Sequence, residues 1–300
     1  MRIRATVAAV SGALALSAIV VPAAQAAPSG DRTPAPLSGP WASGSAGAFG
    51  SAAKVQGFSA TAKAEAPAEA PVIKKVVVNG GKPIVAGLSA KKKVTIAITA
   101  SQSSGIVDAA TILWIGSDLD DENADDLFWF EQNEKKASCK AANATTSTCT
   151  LTVTVDPEQL INTDATYWKV GAYAEGKDES YVRKDNAAKI RMQRASQLTV
   201  AATPKPVKKG KTLTVTGKLS RANWDTGKYA GYAGQSVKLQ FRKKSSKTYT
   251  TIKTVKGSST GTLKTTTTKT TAEGYWRWSF AGTATTPAVN APGTLVKIKK

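Results

Sequence analysis

The chain has 300 residues, with 41 Lys and Arg against 21 Asp and Glu, and its formal charge is +20 at neutral pH. It contains no His, which removes Ser-His-Asp and Cys-His nucleophiles, HExxH zinc sites and imidazole acid–base catalysis in one step. The length suits more than one domain of ordinary size.

Met1, Arg2, Ile3 and Arg4 give a basic start, Ala5 to Val21 carries no charge, and Pro22 to Ala27 ends in small residues. This pattern describes a secretory signal peptide over residues 1–26, cleaved after Ala26 or Ala27. A membrane anchor is the alternative, but the Ala- and Ser-rich run lacks flanking stop-transfer charges. No later stretch is apolar enough to span a bilayer, no Cys follows the run to take a lipid, and no wall-sorting tail is present. The expectation is therefore a protein released outside the cell or held non-covalently at its surface. Residues 27–71 are mostly Ala, Pro, Gly and Ser, too poor in apolar area to offset chain entropy, and read as a disordered leader.

From residue 72 onward the apolar residues repeat every second position. Val94, Ile96 and Ile98 form one set, Leu151, Val153 and Val155 another, and Trp168, Val170 and Ala172 a third, each the mark of a half-buried strand. About seven or eight such segments precede Ala195, which predicts an immunoglobulin-like sandwich over residues 72–195. The only helix expected is one turn near Asp156 to Leu160, started by Asp-Pro-Glu. Cys139 and Cys149 are the only two Cys; in an oxidising compartment they predict a disulfide closing a short hairpin, worth about 2–3 kcal/mol.

The same module holds the acidic cluster Asp118, Asp120, Asp121, Glu122, Asp125 and Asp126, followed by Leu127-Phe-Trp-Phe130. Oxygen ligands at alternate positions suit Ca²⁺. Against the EF-hand pattern Asp118, Asp120 and Glu122 fit the first, third and fifth places, but Asn123 stands where Gly is needed and Trp129 where Glu is needed. The readings left open are a looser calcium site, a solvated loop, and a loop facing the basic module next door. A hydrolase using two opposed carboxylates ranks below these, because one clustered loop is a poor source of two acids across a cleft.

Residues 196–300 predict a second sandwich of about seven strands, joined to the first near Ala195 to Lys211. Leu213 and Val215, then Val237, Leu239 and Phe241, then Trp276, Trp278 and Phe280 supply its alternating core. Charge divides sharply between the modules. Residues 72–198 carry 16 cations and 16 anions, whereas residues 199–300 carry 20 and 2. Alternation puts Lys238, Gln240, Arg242 and Arg277 on the solvent face, and Lys253 on a neighbouring strand, giving a basic face that attracts polyanions. Only Arg221, Arg242 and Arg277 of its 20 cations are Arg, which argues against sequence-specific nucleic-acid recognition. The competing use of the lysines is solubility and protection of sheet edges. Trp224, Tyr229 and Tyr232 lie at a Gly-containing loop, Asp225 to Gly234, where they can stack on a sugar or pack onto the sandwich.

Lys209-Gly210-Lys211-Thr-Leu-Thr-Val-Thr-Gly217, Tyr229-Ala-Gly-Tyr232, Val237-Lys-Leu-Gln-Phe-Arg242 and Gly274-Tyr-Trp-Arg-Trp-Ser-Phe-Ala-Gly282 together resemble the C-terminal immunoglobulin-like module of secreted actinobacterial proteins. Ser104-Gly105-Ile106, Leu113-Trp114, the Cys pair and Trp168-Lys-Val are similar to the module that often precedes it. The resemblance spans residues 72–300 and implies export and two tandem immunoglobulin-like antiparallel β-sandwiches; some members carry the label calcium-binding protein. The chain ends in Leu295-Val-Lys-Ile-Lys-Lys where the resemblance implies an acidic residue near the last strand. The reading that results is a secreted, non-enzymatic protein that needs no cofactor. Its Lys-rich second module associates with anionic cell-envelope or extracellular polymers, with calcium-dependent adhesion or assembly as the alternative.

Overall fold

A computed structural model describes residues 36–42, 69–121 and 126–299. The expected signal peptide, most of the expected leader, and Glu122 and Asp125 of the acidic cluster lie outside the described residues. The described chain is all-β, and its helical content is limited to short 3-10 turns. One of these is the expected turn, Pro157–Gln159, where the Asp156 carboxylate accepts from the Glu158 amide.

Up to Arg194 the strands are β1 (Val72–Val78), β2 (Ile84–Ala86), β3 (Lys92–Ser101), β4 (Ile106–Ile115), β5 (Phe128–Glu131), β6 (Ser138–Ala141), β7 (Thr146–Val155), β8 (Tyr167–Gly176) and β9 (Tyr181–Arg194). They form two sheets, in the orders β1-β3-β7-β6 and β2-β9-β8-β4-β5. The inner faces meet in one core. Val94, Ile96 and Ile98 of β3 and Leu151, Val153 and Val155 of β7 pack with Trp168, Val170 and Ala172 of β8, as the alternation requires. Trp168 is fully buried, stacks on Phe130 and donates its indole N–H to the Asp164 carbonyl at 2.9 Å, so its one polar group is satisfied inside the core.

From Ser196 onward the strands are β10 (Ser196–Leu198), β11 (Ala201–Thr203), β12 (Val207–Lys208), β13 (Leu213–Asn223), β14 (Lys228–Gly231), β15 (Ser236–Lys243), β16 (Thr250–Lys256), β17 (Thr262–Thr267), β18 (Gly274–Phe280), β19 (Val289–Asn290), β20 (Thr294–Val296) and β21 (Ile298–Lys299). The long β13 pairs with β10, β11, β14 and β17, and opposite it stands the sheet β16-β15-β18-β19 with β20 also on β18. Between them lie Leu213, Val215, Val237, Leu239, Trp276, Trp278 and Phe280. Among the described residues no strand pairing crosses Ala195.

Two expectations need correction. The sheets are not purely antiparallel, since β2 runs parallel to β9 and β12 parallel to β21. The second module also has twelve strands rather than about seven, because several edge segments are only two or three residues long, too short to show an alternating pattern.

Cys139 and Cys149 face each other directly across β6 and β7 and are joined as a disulfide. Replacing both by Ser is expected to cost about 2–3 kcal/mol by loop entropy. The measurement is the thermal midpoint of the double variant against the oxidised chain; an unchanged midpoint would show that the bridge closes a hairpin already held by its own ladder.

Candidate functional site

Over β8, β4 and β5, the sheet β2-β9-β8-β4-β5 is apolar on both faces. Ala110, Ile112 and Trp114 of β4, Trp129 of β5 and Tyr173 of β8 point away from the central core, yet all are buried. What covers them is Leu37 to Ala42, a segment inside the stretch expected to be a disordered leader. For residues 36–42 that expectation is corrected: Leu37, Pro40 and Trp41 supply enough apolar area to dock, and Trp41 is only 2% exposed. Its six-membered ring lies over Gly171 in the middle of β8. A Cβ there would stand 2.7 Å from Trp41 Cη2 and 2.6 Å from Ile112 Cγ2, so a strand position where Gly is otherwise a cost is needed for the indole.

Polar contacts fix the same segment. Ser38 donates from its amide at 2.7 Å and its hydroxyl at 2.6 Å to the Glu131 carboxylate. Arg183 of β9 donates to the Pro40 carbonyl at 3.3 Å and lies 5.3 Å from the centre of the Trp41 ring. Its guanidinium is also paired with Asp185 at 2.7 Å and with Asp120. Burial alone would lower its pKa, but Asp185 and Asp120 outweigh that and raise it.

The acidic cluster is thereby partly spoken for. Asp120 binds Arg183 of its own module, the Asp118 carboxylate accepts from the Asp120 amide at 3.0 Å, and Asp126 accepts from the Ser117 hydroxyl at 3.2 Å. Among the described residues no three carboxylates are grouped as metal ligands. A cleft of about 420 Å³ lies beside the docked segment, lined by Trp41, Asp108, Glu131, Glu134, Tyr173 and Glu175 among others. Its acids have structural partners: Asp108 accepts from the amides of Ala109 and Ala137, and Glu134 from the amide and hydroxyl of Thr152. Tyr173 donates to Glu175 at 3.5 Å; burial first, and then that carboxylate, push the phenol well above its usual range.

Of the two uses open to Trp224, Tyr229 and Tyr232, the structure shows packing. Trp224 is 8% exposed and belongs to the core of the first module, donating its indole N–H to the Gly87 carbonyl at 2.6 Å; Tyr229 packs against the same core. Asn162 completes the joint. Its amide donates to Asp225 at 2.9 Å, its side chain to Asn223 at 2.8 Å and to Asp225, and its side-chain oxygen accepts from the Trp224 amide at 3.1 Å. On the other side Gln193 and Arg194 donate to the Thr283 and Thr285 carbonyls, and Arg194 Nε donates to the Ala222 carbonyl at 2.6 Å. Burial and then the neighbouring Arg221 push the Arg194 guanidinium down to about 10. Tyr232 sits edge-on to Phe280 with Arg221 over its ring at 4.0 Å.

The basic face is on the outer side of β15 and β18. Lys238 lies opposite Ser279, Gln240 opposite Arg277, and Arg242 opposite Tyr275, and Lys238 is exposed. Lys253 of β16 is exposed as well, but at an irregularity: it stands opposite the buried Leu239, where the β15–β16 register shifts. Of the two acids of this module, Asp225 is engaged with Asn162 at the joint and Glu273 is paired with Lys244 at 3.4 Å, just past the end of the β15–β18 ladder. Among the described residues Lys238, Arg242 and Arg277 have no carboxylate partner. Unforeseen from the sequence is that every Arg here lies on a Tyr: Arg221 on Tyr232, Arg242 at 4.0 Å from the Tyr275 ring, and Arg277 at 3.8 Å from the Tyr249 ring. Lys-rich composition hid this, because the stacking partners are distant in sequence.

Residues 85–174 match a family of unknown function, DUF5707. The matched stretch holds the disulfide, the acidic loop and Gly171. No curated protein matches the chain. Among solved structures, the chain is similar to the Yersinia pseudotuberculosis adhesin InvE, at 12% identity and a TM-score of 0.24, over 74% of this chain and 58% of that one. It is similar to the ectodomain (Ig1–Ig3) of mouse nectin-like molecule 4 at 13% and 0.23, over 77% and 65%. With Salmonella alpha-2-macroglobulin reacted with methylamine the values are 10% and 0.27, over 77% and 15%. The chain spans less than two thirds of the length of each of these three structures.

Proposed function

We propose that this chain is an exported, non-enzymatic binding protein whose second module holds anionic polymers of the cell envelope or its surroundings. The observation that carries the reading is the outer face of β15 and β18, where Lys238, Arg242 and Arg277 are displayed while Asp225 is bound to Asn162 and Glu273 to Lys244. A field of this kind attracts a polyanion at long range and is screened by salt. The module leans on its neighbour through Trp224 and Asn162, so the chain tested is the whole one from Ala27 or Pro28 onward. It is expected to be retained on immobilised heparin or purified anionic wall polymer at about 50 mM salt and to be released steeply by about 200 mM. Flow-through at the lower salt ends the proposal.

The calcium reading of Asp118, Asp120, Asp121, Glu122, Asp125 and Asp126 stands second. The pairing of Asp120 with Arg183 weighs against it, since a cation taking Asp120 must first displace a guanidinium. Millimolar calcium is expected to leave the melting temperature unchanged. A rise that disappears in Asp120→Ala with Asp121→Ala would reassign the loop to calcium.

A further inference from the structure

Arg242 and Arg277 differ from the lysines around them in being held. Arg277 donates from Nε to the Gln240 side-chain oxygen at 2.9 Å with Tyr249 against its plane; Arg242 donates from Nη1 to the Ser246 carbonyl at 2.7 Å and stacks on Tyr275. Arg242 also lies 5.3 Å from the centre of the Tyr249 ring, so one tyrosine is shared by both guanidiniums. The seat of that ring is built into the backbone. Any side chain at Gly293 would run into the Tyr249 hydroxyl. Among the described residues neither guanidinium has a carboxylate partner, and both terminal nitrogens of Arg277 and Nη2 of Arg242 are left to donate outward.

A flexible Lys loses rotamer freedom when it grips a ligand, whereas a guanidinium already oriented by a ring and a hydrogen bond has lost most of it in advance. Two such forks on one strand pair, Arg277 opposite Gln240 and Arg242 two positions along from it, form a fixed site for oxyanion groups, with both terminal nitrogens of Arg277 open to a bidentate contact and Nη2 of Arg242 adding a further donor. Between these cations and Lys238 the face carries uncharged polar groups: Gln240 and Thr251 within 3.5 Å of each other, Ser279 opposite Lys238, and Asn290 opposite Ser279. Those groups match the hydroxyls of a sugar. Nucleobases would need open aromatic faces to stack on, and here a guanidinium lies over each tyrosine ring.

We infer that the Arg242–Tyr249–Arg277–Tyr275 cluster is the anchoring site for an acidic polysaccharide, its two guanidiniums gripping oxyanions on the sugar chain while the surrounding lysines only concentrate the polymer. This rests on the polyanion reading above. The experiment compares the whole exported chain with Arg242→Lys plus Arg277→Lys, which keeps the charge and removes the forks, and with Lys238→Gln plus Lys253→Gln, which removes charge and keeps them. Affinities are measured at about 150 mM salt for a polyuronate, heparin, a phosphate-bearing wall polymer and single-stranded DNA, with elution from a sulfonate resin as the measure of bare charge.

The expected result is that the Arg→Lys pair loses roughly tenfold or more in affinity for at least one acidic glycan, while its resin elution and melting temperature stay as in the parent. The Lys→Gln pair should elute earlier from the resin yet keep the parent's ranking of polymers. Loss confined to the polyuronate, heparin or phosphate arm identifies the oxyanion as carboxylate, sulfate or phosphate. Equal glycan affinity in the Arg→Lys pair overturns the inference and leaves the polyanion reading standing. Stronger binding of DNA than of any glycan overturns the choice of polymer, and a parent that binds nothing at about 50 mM salt overturns both readings.

Discussion

Trp224→Ala is expected to separate the unfolding of the two modules and to cost about 3–5 kcal/mol, the usual toll for truncating a buried Trp. In the parent, this indole from the second module fills the first module's core and satisfies the Gly87 carbonyl; truncation empties the space and leaves that carbonyl without its donor. Around it, Asn162 makes hydrogen bonds to Asn223, Trp224 and Asp225 that depend on the two sandwiches staying in register. Differential scanning calorimetry is expected to show one transition in the parent and two in the variant. Trp224→Phe separates the contributions: it keeps most of the apolar volume and loses the N–H, so its cost should be about 1–2 kcal/mol with a single transition retained. A single unshifted transition in Trp224→Ala would mean that the joint contributes no coupling.

Gly171→Val should release the Leu37–Ala42 segment. A Cβ at this position meets Ile112 Cγ2 at 2.6 Å and the Trp41 ring at 2.7 and 2.9 Å, and the indole, carried on a segment outside the sheet, yields more readily than a strand. Overpacking of this kind costs about 1–3 kcal/mol, and the burial of Trp41 and Leu37 is lost in addition. Limited proteolysis is the direct measurement: cleavage within residues 36–42 should be many-fold faster in Gly171→Val than in the parent, and about as fast in Trp41→Ala, which undocks the segment without straining β8. Protection equal to the parent's in both variants would show that docking does not depend on the indole.

Much of the first module's core was legible because β3 and β7 each bury one face and, with the start of β8, place apolar residues at every second position, and the disulfide was legible because only one pairing exists. The outer face of β4 was not, although its signal was present. Ala109 to Ile115 runs almost without a polar residue, as a strand covered on both sides must, and Pro40-Trp41 interrupts a stretch otherwise poor in large side chains. Reading only alternation, one assigns the second face to solvent and has no use for the tryptophan. The loop aromatics were legible only as a choice between stacking on a sugar and packing, of which the structure shows packing. Trp224 looks the same whether its pocket is a sugar or another module, and only the three-dimensional placement of Gly87 and Asn162 decides. On the basic face, alternation located Lys238, Arg242 and Arg277 correctly on the outer side, but the bulge that displaces Lys253 leaves no trace in composition.

Arg183 joins two things that the sequence keeps more than sixty residues away from it: the carbonyl of Pro40 and the carboxylate of Asp120. Linkage then runs in both directions with equal free energy. Whatever draws Asp120 aside loosens the grip on the amino-terminal segment, and a pull on that segment from outside alters how tightly Asp120 is held. A single guanidinium thus makes the docked segment around Pro40 and the turn that carries Asp120 report on one another.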